Sequence, residues 1–279
     1  MKKILYILGR FFGKAQKTTL LLGQLTTQHL VPRLHCNLVA CQQLAHTTSR
    51  ILFFSSLLFV TVEAQTADTK QLLVATTKNW STPNGSLQRF EREGKSWQKV
   101  GKAINIKLGR NGLGWGIGLH TTPKDAKYIK KEGDGKAPAG IFTLKQAFGY
   151  QPFVVEYPYE VYKATDHCVD DVNSKLYNKI VDSTKVKIDY KSKEHMKFPK
   201  NYYKYGIVVN HNHIDEKGAV KGAGSCIFIH IKKVPTAGCT VMTEGEMKEI
   251  IKWLDVDSKP LLVQGTEGVI DTLMKQIKP

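Results

Sequence analysis

Before Glu63 the chain contains no acidic side chain. It also lacks any apolar run approaching the roughly 20 residues that a membrane-spanning helix needs. Neither a Gly-x-x-x-x-Gly-Lys-Ser/Thr loop nor a Gly-x-Gly-x-x-Gly turn occurs, so the glycine block from Gly109 to Gly118 is not a phosphate cradle. His-Glu-x-x-His is missing too, which removes one common zinc signature. Cysteine is scarce: beyond residue 64 only Cys168, Cys226 and Cys239 occur. In an oxidising compartment an odd number leaves at least one thiol unpaired, and Cys239 is the expected one. Whether Cys168 and Cys226 pair stays open, because spacing gives neither distance nor geometry.

What is present at the amino terminus has the order of a secretory signal. Arg50 precedes the apolar run Ile51 to Val60, and Val62 and Ala64 stand at the minus-three and minus-one positions of a cleavage site. Cleavage is expected after Ala64, so residues 1–64 read as an upstream extension plus signal peptide, and no membrane span remains afterwards. Ahead of the signal lie a short apolar stretch, Ile4 to Phe12, and a Thr/Gln/Leu-rich tract. Translation starting near Arg50 at a non-Met codon explains that tract, and an acid-poor organellar presequence is the rival. The chain holds 41 basic and 24 acidic residues, and setting residues 1–64 aside still leaves a net charge of about +11. Such an excess suits an anionic partner. The lysines are scattered and no nucleic-acid motif accompanies them, so nucleic acid is not the expected partner. A merely soluble basic surface accounts for the charge equally well.

From Gln71 onward, short β-rich runs alternate with turn signals: Gln71 to Thr77, Asn84-Gly85, Leu87 to Glu91, Trp97 to Val100 and Ala103 to Leu108. This spacing predicts an antiparallel meander. Gly133 to Gly140 reads as a loop, Ile141 to Phe148 and Tyr205 to Asn210 as strands, and Leu261 to Gln264 as the last strand. Thr243-x-x-Glu246 is a capping box, and Met247, Ile250, Ile251 and Leu254 follow at the spacing of one buried helical face. Val269 to Ile277 reads as a short terminal helix. The fold class is therefore mainly β with a few helices.

Chemistry concentrates between Ser225 and Cys239. Alternation from Cys226 to Ile231 puts Ile227, Ile229 and Ile231 on one face and Phe228 and His230 on the other. Pro235 ends regular pairing, and Ala237-Gly238 lets the backbone fold back so that Cys239 approaches His230. A free thiol, with a pKa of about 8.5, is only a few per cent thiolate at neutral pH, so a nucleophilic cysteine needs such a neighbouring base. Cys239 and His230 are the candidate nucleophile and base, and the backbone amides of Gly238 and Cys239 are the expected oxyanion donors. Cys226 lies about 13 Å from His230 along a strand, too far to be the nucleophile. A buried structural cysteine beside a hydrogen-bonded core histidine fits the same spacing. A third reading has His211, His213 and His230 binding zinc, since the first two share a face of an extended segment.

Thr236-Ala-Gly-Cys239, with His230 upstream, resembles the catalytic turn of the L,D-transpeptidase (YkuD) family of bacterial cell-wall synthesis. The likeness extends to Gly109–Gly116, Glu132–Gly140, Cys168–Lys175 and Tyr205–Asn212, in the order that one branch of the family shows. Better-known members have His directly before Gly-Cys and Arg shortly after it, whereas here Ala237 and Thr240-Val241-Met242 stand there, and the His-to-Cys spacing is shorter. The resemblance implies one catalytic domain over residues 65–279, with a sheet or sandwich core and the capped helix following the cysteine. It implies an exported enzyme of periplasm or cell wall that acts on peptidoglycan stem tetrapeptides. Cys239 would release D-alanine through a thioacyl enzyme, then form 3-3 cross-links or exchange the terminus. The alternative on the same fold is an L,D-carboxypeptidase or amidase-type hydrolase. Neither metal nor organic cofactor is required by this chemistry.

Overall fold

The computed structural model describes residue 66, residues 68–213 and residues 218–278. The upstream extension and signal peptide expected over 1–64 lie outside them. Among the described residues no helix is long and apolar enough to cross a membrane.

Gln71 to Thr77 forms strand β1, pairing antiparallel with β2 (Asn84–Glu93), which pairs antiparallel with β3 (Ser96–Lys107). This is the expected meander, with two differences. Asn84-Gly85 opens β2 instead of turning, because Gly85 sits against Thr77, where an added Cβ would lie 2.6 Å from the Thr76 carbonyl oxygen. The two runs expected around residues 97–108 form one strand, β3, whose segment between Val100 and Ile104 bulges opposite Leu87 to Arg89 of β2, with Gly101 at φ 66° inside it.

The expected sheet or sandwich core is corrected by a closed barrel. The long strand β5 (Ala137–Gly149) pairs with β13 (Leu261–Thr266) through Gly140–Thr143 and with β10 (Tyr205–Val209) through Leu144–Gly149. From β10 the ladder continues through β11 (Phe228–Ile231), β12 (Thr240–Met242), β3, β2 and β1 back to β13. Eight strands thus close into a ring, which leaves no open edge along it. A register shift between Ile207 and Val209 supplies local bending where β10 meets β5. Two short strands, β4 (Leu113–Trp115) and β6 (Tyr159–Val161), add to β5. A separate three-stranded sheet has β7 (Asp166–Cys168) between β8 (Ile180–Asp182) and β9 (Glu194–His195).

Leu72, Leu87, Ile104, Ile106, Phe142 and Ile229 belong to the main buried core. β13 is buried on both faces because helix α2 (Glu267–Met274) packs against it. Gly265 permits that approach, since a Cβ there would meet Val269 Cγ2 at 2.8 Å. Helix α1 (Glu244–Trp253) begins at the predicted capping box: Thr243 Oγ1 accepts from the Glu246 amide while Glu246 Oε2 accepts from the Thr243 amide. Its buried Met247, Ile250 and Ile251 pack towards β10 and β11, so the helix buttresses the strand that carries His230.

Candidate active site

Strand β11 divides its side chains as the alternation predicts. Ile227 and Ile229 enter the main core, whereas Phe228 joins a second apolar cluster with Phe148, Tyr203, Cys226 and Cys239. Strands β11 and β12 run parallel with Ile229 opposite Thr240 and His230 opposite Val241, which sets Cys239 beside Phe228. Cys239 and His230 therefore sit one diagonal step apart on the same face, roughly 7 Å between backbone positions. Both are buried, and both line a cleft of about 640 Å³.

The His230 ring is held by carbonyls. Its Nδ1 lies 3.2 Å from both Tyr202 O and Ile231 O, so Nδ1–H donates and Nε2 is the unprotonated nitrogen. The Tyr203 ring packs edge-on at 4.8 Å. Burial lowers the imidazole pKa to about 4 against the opposing pull of those carbonyls, keeping the ring neutral near pH 7.

Cys239 rests as a thiol. Its Sγ accepts from the Phe228 amide at 3.3 Å and donates to Cys226 O at 3.5 Å. Burial pushes its pKa well up, and the charge of Glu194 adds to the rise. The resting pair is thus thiol and neutral imidazole, so any use of Cys239 as a nucleophile would need proton transfer to accompany attack.

The turn before the thiol is braced by Thr236, whose Oγ1 accepts from the Gly238 amide at 3.1 Å and donates to Cys239 O at 2.6 Å. The Gly238 amide, one of the two expected oxyanion donors, is thus engaged inside the turn. Cys226, expected as part of the strand, instead takes a left-handed conformation at φ 54°. Its amide donates to Asn178 Oδ1 and its side chain is disulfide-bonded to Cys168 in β7, which answers the open pairing question. Cys239 is the free cysteine among the described residues, as expected.

The histidine zinc reading finds no geometry. His211 Nδ1 accepts from the Ile117 amide and its Nε2 bonds Ala223 O, while His213 Nε2 bonds Asn178 O. Among the described residues no three His, Cys, Asp or Glu side chains form a metal-binding group. The Gly109–Gly118 block serves structure, with the Ile117 amide meeting His211 and the Gly116 amide donating to Ala139 O.

Comparison with protein-family models, with curated proteins and with solved structures finds no match to this chain.

Sequence reasoning missed the acidic side of the cleft, to which Glu132, Asp170 and Glu194 contribute. Glu132 Oε2 accepts from Tyr177 Oη and Ser225 Oγ, each at 2.6 Å, and Glu194 Oε2 accepts from Tyr203 Oη. Burial raises the Glu194 pKa to about 7, opposed by the Tyr203 hydrogen bond and assisted by Asp170 and Glu132. Glu132 and Asp170 lie inside the quoted sequence blocks, but nothing in their local pattern separates them from surface carboxylates. Lys130, Lys200 and Lys232 also line the cleft, and the Lys232 charge opposes the rise of the Glu194 pKa.

Proposed function

We propose that the protein is an exported cysteine acyltransferase acting on peptidoglycan stem tetrapeptides, an L,D-transpeptidase. The observation that carries the reading is the placement of the Cys239 thiol and a carbonyl-pinned, neutral His230 on one face of one cleft. The ordered sequence blocks that resemble the L,D-transpeptidases supply the substrate class.

In this mechanism the donor's terminal carboxylate meets Lys200 and Lys232, two lysines that line the cleft. His230 Nε2 takes the Cys239 proton as sulfur attacks the carbonyl between the third stem residue and terminal D-alanine. The Cys239 amide donates to the developing oxyanion, an interaction of about 3 kcal/mol in comparable sites. Protonated His230 then gives its proton to the departing amine, leaving a thioacyl enzyme and free D-alanine. An acceptor amine resolves the thioester into a new amide, while water would give the carboxypeptidase product.

The test is mass spectrometry of the purified protein with stem tetrapeptide, beside Cys239→Ala. A thioacyl adduct on Cys239 with release of D-alanine is expected from the parent and neither from the variant. Absence of both from folded parent protein across stems of differing diamino acid would sink the reading. Addition of an acceptor amine separates transpeptidase from hydrolase by the product ratio.

A further inference from the structure

Transfer to an amine sets a requirement that Cys239 and His230 do not meet alone. At neutral pH an aliphatic acceptor arrives as an ammonium ion and has to lose one proton before it attacks and another as the amide forms. His230 can take one of these. We propose that Glu194, with Asp170 and Glu132 beside it, forms the subsite that binds the acceptor's ammonium group, and that Glu194 takes its first proton. The inference rests on the acyltransfer reading and names the chemical class of the acceptor.

Three observations point to a cationic ligand there. None of the described ion pairs involves Glu132, Asp170 or Glu194, although the protein is strongly basic. Of the cleft lysines, Lys130 is committed to Asp134 Oδ1 at 2.7 Å and Lys131 O at 2.6 Å, and Lys232 acts on Glu194 electrostatically without forming one of the described ion pairs. Asp170 Oδ1 is shielded from solvent and has no hydrogen-bond partner, an orphan acceptor on the cleft wall. A shielded acidic oxygen without a partner is costly, and an ammonium, with three donors, would satisfy it and still have donors for its neighbours.

Geometry ties this subsite to the reacting groups. The Tyr203 hydroxyl fixes Glu194 through Oε2, and the same Tyr203 ring packs on His230. Glu194 and Cys239 line one cleft and sense each other's charge. A carboxyl raised to about 7 is suited to exchange a proton near neutral pH.

The proton count closes. The ammonium gives one proton to the Glu194 carboxylate, and the amine attacks the Cys239 thioester. The C–N bond forms, His230 takes the second proton from nitrogen, the C–S bond breaks, and His230 passes that proton to the departing thiolate. Glu194 returns its proton to solvent.

The test compares Glu194→Gln, Glu194→Asp and the parent full-length protein, each acylated by stem tetrapeptide and then offered three acceptors. Two are ammonium ions at neutral pH, a free D-amino acid and a second stem peptide. The third, hydroxylamine, is uncharged there. Loss of a charge-assisted contact in Glu194→Gln should raise the half-saturating concentration of the ammonium acceptors roughly tenfold to a hundredfold. That loss should exceed any loss in acylation or in hydroxylaminolysis by tenfold or more, with Glu194→Asp lying between. Equal losses for all three acceptors, or none, overturn the inference while leaving the acyltransferase intact. A second readout does not depend on turnover: calorimetric binding of D-alanine methyl ester, a cation without a carboxylate, to Cys239→Ala protein. Binding should weaken at least tenfold when Glu194→Gln is added, and an unchanged affinity overturns the inference. If the parent forms no Cys239 adduct, the acyltransferase reading falls, and the calorimetric arm still reports on the cation site.

Discussion

The Cys168–Cys226 disulfide offers a quantitative test of how the candidate site is held. The two cysteines are separated by 58 residues, and the enclosed chain includes β8 to β10 and most of the β10–β11 connection. Closing a loop of that length in the unfolded chain removes entropy equivalent to about 4 kcal/mol at 25 °C. The Cys168→Ala/Cys226→Ala variant, made with Cys239→Ala to prevent thiol exchange, should therefore lose about 4 kcal/mol against Cys239→Ala alone. Such a loss is large beside the 5–15 kcal/mol typical of a whole domain. Urea unfolding followed by tryptophan fluorescence reads it as a lower midpoint at similar slope. With Cys239 retained, the same pair of changes also untethers position 226, whose left-handed backbone directs its carbonyl onto the thiol. Thioacylation should then slow more than global unfolding explains. Unfolding free energies that agree within about 0.5 kcal/mol would refute the reasoning, because either the bond does not form or the unfolded chain does not gain the freedom assumed.

Acid should destabilise the fold in a defined window. His120, His211 and His230 have pKa values lowered to about 4 by burial, so between about 6.5 and about 4 the unfolded state binds more protons at these sites and stability falls as pH falls. Glu194, raised to about 7, works the other way between about 4.5 and 7, since there the folded state holds the extra proton. Three histidines outweigh one carboxyl, and the melting temperature should rise from pH 4.5 to pH 6.5; a flat or falling profile would contradict the burial of these rings. Replacing Thr243 by Ala should cost about 1 kcal/mol by urea titration, because the capping box loses its side-chain acceptor. Gly265→Ala should cost about 1–3 kcal/mol, since the new methyl meets Val269 beneath α2, and a neutral result would mean that the helix shifts freely.

Local rules carried the sequence reading as far as neighbours in the chain decide the outcome. The alternation around Ile229 assigned His230 to the correct face, and the Thr243–Glu246 box placed α1 to the residue. Barrel closure was illegible because it depends on β5 serving β13 and β10 with different halves, a pairing between segments far apart in sequence. Asn84-Gly85 shows the same limit from the other side: a strong turn signal is overridden when a strand needs its glycine for close approach to Thr76. The acidic wall is the most consequential case. Glu132, Asp170 and Glu194 come from three separate stretches, each unremarkable alone, and only tertiary folding brings them to one cleft with Cys239. Under the proposed acyltransfer, Cys239 and His230 come from one short segment, whereas the acidic groups proposed to receive the acceptor need only face the same cavity, so spacing along the chain does not constrain them.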